Sequence, residues 1–360
     1  MQDIRTSAPN RPLRTEYQLL SEYRSELMGL AMLWIMLFHA YAFHFNQAFL
    51  DLIKYSGFLG VDLFILLSGL GLGKSLFSRE TTPLAPYYLK RFVRIMPAYW
   101  LVVGLYSLYL LLRGAISLAT LGWNLSLLYY WFHIPGSFNW YVSALLAFYL
   151  IAPFYTRFLR NRKRKEWITA FTFVFSYLLY RGAILLGVDY LQDFIFRIPP
   201  FAIGILVGYY ICSEKHLSLR HCVLMAALAV GGVILAILLY KRVFYISPCY
   251  IFSIFILQIC ILLAALFKFL RSRWICRCLS ELGKCSLEIY LFNVIVTREF
   301  STRPSVMGLS NKRLALCYLI LYSVNIGAAI ALHSVLLPFQ RRLDALLQKN
   351  FKIDKKGSLS

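Results

Sequence analysis

The sequence predicts an all-α, polytopic integral membrane protein of about ten transmembrane helices, with both termini in the cytoplasm. Three observations lead there. Of the 360 residues, 60% are hydrophobic and only 15% are charged, whereas soluble domains run at about 45–50% apolar. The apolar residues gather in runs close to the roughly 20 residues that a bilayer core demands of a helix, and the mean hydropathy is +0.64. The formal net charge of +22 is concentrated in short basic stretches between alternate runs. That is the positive-inside pattern of a membrane protein, and it argues against a nucleic-acid partner.

Taken in order, the candidate spans are 27–45, 54–73, 96–112, 136–156, 167–187, 195–212, 222–240, 247–267, 282–298 and 314–337. The first is LMGLAMLWIMLFHAYAF and the second contains GVDLFILLSG. The third follows the basic entry YYLKRFVRIMPAYW, with Pro97 in its first turn, where a missing amide does least harm. The fourth carries FNWYVSALLAFYLIAP, and the ninth opens with LGKCSLEIYLFN. The stretch 118–132 (LATLGWNLSLLYYWF) is short for a span and reads as an interfacial or re-entrant piece.

Ten spans place 1–26, 74–95, 157–166, 213–221, 268–281 and 338–360 on the cytoplasmic side, and with them KRFVR, RFLRNRKRK, KFLRSRWICR and RRLDALLQKNFKIDKK. The outer segments hold Arg113, Lys241, Arg242, Arg303, Lys312 and little else. An eleventh span at 118–132 would turn the last two basic runs outward, against the charge rule. The chain therefore divides into a cytoplasmic segment 1–26, a membrane domain 27–337 and a basic cytoplasmic tail 338–360. No cleavable signal peptide is visible. The eight cysteines are scattered, and Cys276 and Cys278 have no companion pair, so neither a metal site nor structural disulfides are expected.

Ionisable residues inside apolar runs are costly and need a reason. His39 lies about 18 Å along the first span by helical rise, past the bilayer midplane. It suits a general base lining a polar cavity, or a core histidine bonded across a helix interface. Asp62, in the second span, can orient His39, pair with an arginine, or act as a hydrogen-bond hub between the first two spans. Ser68 and the glycines after it read as close helix packing. Lys90, Arg91 and Arg94 precede the third span, with Arg91 and Arg94 three residues apart on one helix face. Guanidinium groups grip phosphates bidentately, and the same residues would also anchor a helix at lipid headgroups. Glu288 lies just inside the ninth span and would pair with an arginine or stay half solvated. His333, in the tenth, reads as a bundle contact.

In this order and spacing, four segments resemble the membrane-bound acyltransferase-3 family, the O-acyltransferases of bacterial surface polysaccharides. LMGLAMLWIMLFHA is similar to the family's first helix, GVDLFILLSGLGLG to its GVDLFFVLSG, YYLKRFVRIMPAYW to its FYxRRxxRIxPxYW, and LGKCSLEIYLFN to its LGxxSYxxYLxH. The family histidine falls on His39, the aspartate on Asp62 and the arginine pair on Arg91 and Arg94. There are departures. The family arginine eleven positions before the histidine is Met28 here, and Arg24 lies one turn earlier, across a gap of roughly 6 Å that a long side chain can partly cover. Leu145 stands where the family has glutamate, and Asn293 where it closes on histidine. Many members carry a soluble C-terminal domain that this sequence lacks.

The resemblance implies transfer of an acyl group, acetyl by family frequency, from cytoplasmic acyl-CoA to a hydroxyl of an extracytoplasmic polysaccharide or lipid-linked glycan. It implies a location in the bacterial cytoplasmic membrane beside lipids and glycan assembly proteins. His39 would be the general base and Asp62 would set its tautomer or stabilise its charge. Lys90, Arg91, Arg94 and Arg24 would hold the CoA phosphates. A succinyl donor would ask for a further cation, for which Arg181 and Arg197 are the outer-side candidates. The competing readings are a transporter or flippase with a His39–Asp62 proton relay, and a non-catalytic scaffold of a glycan assembly complex.

Overall fold

The computed structural model describes residues 15–80, 83–134, 139–240, 246–270 and 273–350. Residues 1–14 and 351–360 of the two expected cytoplasmic ends lie outside the described residues, as do 136–138 of the fourth expected span, Lys241, Arg242 and Arg271. Among the described residues every regular element is helical.

The order is α1 (Glu16–Glu22), α2 (Arg24–Phe38), α3 (Ala48–Tyr55), α4 (Gly60–Phe77), α5 (Leu84–Tyr99), α6 (Leu105–Leu112) and α7 (Leu118–Ser126). Then come α8 (Trp140–Arg160), α9 (Lys165–Leu185), α10 (Gln192–Ile195), α11 (Ile198–Cys212) and α12 (Leu219–Tyr240). The chain closes with α13 (Pro248–Leu270), α14 (Arg273–Lys284), α15 (Ser286–Ser301), α16 (Pro304–Met307) and α17 (Asn311–Asn350). The first turn of α1 is fixed by a capping box, in which Thr15 and Gln18 exchange side-chain and backbone hydrogen bonds of 3.1 Å, satisfying two amides that a helix start leaves open.

Seven helices among the described residues are long and apolar enough to cross a bilayer: Ala48–Phe77, Leu84–Leu112, α8, α9, Asp189–Cys212, α13 and Asn311–Leu347. The expectation was about ten. Two of the shortfalls have a common cause. The 15 residues of α2 and the 16 of α15 span only about 22–24 Å at 1.5 Å each, less than a bilayer core. Both are wrapped by other helices: Leu27, Ala31, Met32, Ile35 and Met36 of α2 and Glu288, Ile289, Tyr290 and Leu291 of α15 are buried. The third is α12, whose described apolar part is Cys222–Gly232.

The first span was expected to continue to residue 45; instead α2 stops at Phe38 and the chain turns, with Ala40 N–H donating to Leu37 O and Tyr41 N–H to His39 O. The stretch 118–132 forms the nine-residue α7, about 13 Å long and too short to cross. It docks on α5 and α6 through Tyr99 Oη donating to Asn124 O at 2.7 Å and Asn124 Nδ2 donating to Ser107 Oγ at 3.3 Å.

At the centre α4 and α11 run parallel in very close contact. Each carries a Gly-xxx-Gly step, Gly69 and Gly73 on one, Gly204 and Gly208 on the other, the small-residue spacing that lets membrane helices meet backbone to backbone. A Cβ at Gly204 would stand 2.1 Å from the Leu66 carbonyl oxygen, whereas one at Gly182, on α9, would meet nothing within 4 Å. Gly204→Ala is therefore expected to cost about 1–3 kcal/mol through overpacking, read as a lowered melting temperature in detergent, while Gly182→Ala is neutral or mildly stabilising. Equal melting temperatures for the two variants would refute the close contact.

Candidate active site

A cavity of about 600 Å³ opens where α2 ends and α11 begins, its wall including His39, Trp140, Asp193, Arg197, Ser247 and Tyr290. His39 follows the last residue of α2, so it sits at a helix terminus and not within a helix. Its ring Nδ1 lies 2.8 Å from the Ile35 carbonyl oxygen, which also accepts from the His39 backbone N–H at 3.1 Å. A carbonyl only accepts, so Nδ1 must carry the proton. In the neutral ring Nε2 then holds a lone pair, the form a general base requires. The ring is also packed edge-on by Phe38 and Tyr41, at centroid distances of 5.2 and 5.6 Å.

Asp62 does not set this tautomer. Its carboxylate is fully buried and faces Arg197, with Oδ1 3.3 Å from Nε. Arg197 also reaches Asp193 at 3.5 Å through Nη1 and lies over the Trp140 ring at 5.1 Å. The pairing follows from helix register. Asp62 stands seven residues before Gly69 and Arg197 seven before Gly204, so the parallel contact of α4 with α11 brings the two charges level. The expected His39–Asp62 couple is thus replaced by an Asp62–Arg197–Asp193 cluster beside a histidine held by its own helix.

A second, smaller cavity of about 80 Å³ lies further along α2 and α4, and Arg24, Met28, Ser68, Arg94 and Leu145 are on its wall. Arg24 opens α2 and donates from Nε to Leu67 O at 2.8 Å. It passes Gly71, whose missing Cβ would lie 3.4 Å from the guanidinium. Arg24 and Met28 thus share one cavity, and Arg24 brings a guanidinium to its wall. Leu145 lines the same wall with a hydrocarbon where a carboxylate was the family expectation.

Arg91 and Arg94 are three residues apart but serve neighbouring cavities. Arg91 stacks over Tyr87 at 4.3 Å and, with Arg79 and Lys90, borders a third cavity of about 130 Å³. Lys90 is only loosely engaged, 3.8 Å from Asp344 of α17. Gln340 of the same helix donates from Nε2 to Arg94 O at 3.3 Å, so the far end of α17 borders this basic face.

The first two cavities meet. Ile35, Val61 and Tyr290 line both the His39 cavity and the Arg94 cavity, and all three are buried. Tyr290 is braced edge-on by Tyr141 at 4.8 Å. Glu288 and His333 pair with each other at 2.9 Å between α15 and α17, so Glu288 has a histidine and not an arginine for a partner. Asn293 is fully buried, with its backbone carbonyl accepting from Thr297 Oγ1 at 2.5 Å.

The residues that sequence reasoning underweighted are Arg197 and Asp193. The signal was present: QDFIFRIPPFAIG sets an acid and a base four apart at the edge of an apolar run, and an intramembrane ionisable residue points to a site by default. Among the described residues, no three His, Cys, Asp or Glu side chains gather as a metal centre would need. No curated protein and no solved structure matches the chain. A family model described as an acyltransferase domain matches residues 27–337. With that match covering most of its length, the chain belongs to the membrane-bound acyltransferase-3 family.

Proposed function

We propose that this protein moves an acyl group, acetyl in the simplest case, from cytoplasmic acyl-CoA to a hydroxyl of an extracytoplasmic polysaccharide or lipid-linked glycan, in the bacterial inner membrane. The observation that carries this reading is the pair of cavities joined at Ile35, Val61 and Tyr290, with Arg24 and Arg94 on one side and His39 on the other. The positive-inside rule assigns the arginine side to the cytoplasm, where the CoA pool is. It also puts both chain termini there.

Arg24 and Arg94, with Arg91 and Lys90 beside them, suit a donor rich in phosphate, because guanidinium groups bind it through paired hydrogen bonds. The thin pantetheine arm then reaches the neck and presents the thioester carbonyl to the His39 cavity. Trp140, Gln192 and Asp193 offer an aromatic face and hydrogen-bonding groups to a sugar. His39 Nε2 takes the hydroxyl proton as the oxygen adds to the carbonyl carbon. The carbon–sulfur bond breaks, and the thiolate leaves with the proton that the imidazolium returns. Arg197 supplies positive charge where the carbonyl oxygen gains negative charge. Asp62 acts through Arg197, as a positioning residue.

The charge arrangement favours acetyl over succinyl. Arg197, one of the cations that the sequence offered to a distal carboxylate, already faces Asp62 and Asp193. A His39–Asp62 proton relay, as a transporter would need, finds no support in partners at Ile35 and Arg197.

The direct test is acceptor-dependent release of CoA thiol by purified protein, together with the acyl content of surface glycan in cells with and without it. No thiol release with any glycan acceptor and an unchanged glycan would overturn the reading. Arg94→Ala and Arg24→Ala are each expected to raise the donor KM about tenfold or more, as loss of a charged hydrogen bond of ~1.5–3 kcal/mol implies. The acceptor KM should hold. Equal weakening of both substrates would remove these residues from the donor site.

A further inference from the structure

The turn between α8 and α9 carries a site that the acyl path does not use. A groove of about 670 Å³ runs along the outside of the bundle there, walled by Tyr155, Phe158, Trp167, Ile168, Phe171 and Phe175. This volume is in the range of small-ligand sites. Trp167, Phe171 and Phe175 are four residues apart and form one stripe of α9, exposed by 72%, 60% and 46%. At the head of the stripe the groove is closed by three consecutive cations, Arg162, Lys163 and Arg164. Arg162 is held over the groove by stacking on Phe158 at 4.7 Å. The carboxylate next along the chain, Glu166, is engaged by Tyr210 at 2.7 Å and Lys215 at 3.5 Å. None of these groove residues lines the cavities of His39 or Arg94.

A hydrocarbon channel with a cationic head is complementary to one kind of molecule in a membrane. We infer that this groove binds an anionic glycerophospholipid, with its phosphate on Arg162, Lys163 and Arg164 and an acyl chain along Trp167, Phe171 and Phe175. The α9 N-terminus adds to the head: its cap residue Arg164 makes no side-chain cap hydrogen bond, and helix N-termini favour phosphate. Basic pockets at the cytoplasmic ends of transmembrane helices bind such headgroups. A zwitterionic lipid would fill the channel equally well, but the cationic group tied to its phosphate would offset the attraction of the three cations, whereas an anionic headgroup carries no such group.

The test is native mass spectrometry of the purified, delipidated protein with phosphatidylglycerol, with phosphatidylcholine and with inorganic phosphate. The expected result is retention of phosphatidylglycerol over phosphatidylcholine, falling roughly fivefold for each cation replaced in R162Q, K163Q and R164Q. W167A with F171A should weaken both lipids alike. Equal retention of the two lipids by the unaltered protein would overturn the site, as would a triple glutamine variant that keeps the preference. Inorganic phosphate that displaces phosphatidylglycerol would reassign the cations to a free anion. All of these positions are exposed, and a melting temperature matching the parent in phosphatidylcholine confirms that the variants fold. The readout involves no acyl donor or acceptor, so it stands or falls apart from the proposed transferase activity.

Discussion

His39→Ala is expected to abolish most acyl transfer, by about 10²–10⁴-fold in kcat, the range that a lost general base removes. The expectation rests on geometry. Nδ1 is committed to the Ile35 carbonyl, so Nε2 is the only ring nitrogen with a free lone pair, and the ring lies on the wall of the cavity of about 600 Å³. The fold should survive. His39 lies beyond the last helical residue, and the hydrogen bond it loses is to a carbonyl that still accepts from the His39 backbone N–H at 3.1 Å. Donor affinity should also survive, because Arg24 and Arg94, the cations proposed to hold the donor phosphates, line the other cavity. Thiol release measured at saturating donor separates these effects. A variant that keeps kcat within a few-fold of the parent would remove His39 from the chemistry.

Asp62→Ala is expected to lower stability by about 3–5 kcal/mol, because it leaves a buried arginine without its closest counter-charge. Asp193 remains 3.5 Å away but is itself partly exposed, so it compensates little. The paired change Asp62→Ala with Arg197→Met removes both charges and recovers most of that stability, since a buried ion pair exchanged for packed hydrocarbon is often neutral. Activity should not recover with it, because Arg197 is on the cavity wall and its charge is gone. Thermal unfolding of the two single variants and the double variant forms a cycle whose coupling energy measures the pair. Additive losses would show that Asp62 and Arg197 do not act as a pair.

Much of this architecture is legible in the sequence, for reasons that also mark where legibility stops. Hydropathy locates a helix because every span must hide its backbone from lipid. It does not say where a helix ends inside the bundle, since AYAFHF beyond His39 is still mostly apolar and carries no proline or glycine to mark a stop. The end of α2 is set by tertiary contacts, such as the Tyr322 hydroxyl donating to Met36 O and the His44 backbone N–H donating to Asn311 Oδ1. Length and composition likewise cannot separate a span that faces lipid from one enclosed by its neighbours, which is why α2 and α15 were expected to be longer.

His39 and Asp62 stood out because no other charge is near them in the chain. Arg197 did not, because beside Asp193 and two prolines it reads as the flank of a span. Its burial becomes visible only when the glycine steps of α4 and α11 are aligned. Arg24 shows the opposite case. A side chain one turn out of place in the sequence still arrives in the expected cavity, because a four-residue shift keeps the helix face nearly unchanged.

The junction of Ile35, Val61 and Tyr290 has a consequence apart from catalysis. A protein that connects cytoplasmic and external compartments by a continuous passage risks becoming a conductance, and a bacterial membrane cannot hold its proton gradient across an open one. Two hydrocarbon side chains and a phenol, each no more than 6% exposed, are shared by the walls of the two cavities, and an apolar lining of this kind is one that water columns cross reluctantly, as in pores that gate by dewetting. A slender neutral thioester arm can fill that junction, whereas a hydrated ion would have to shed its shell. On the proposed function, the same point would insulate the membrane and keep bulk water from a bond that hydrolysis would waste.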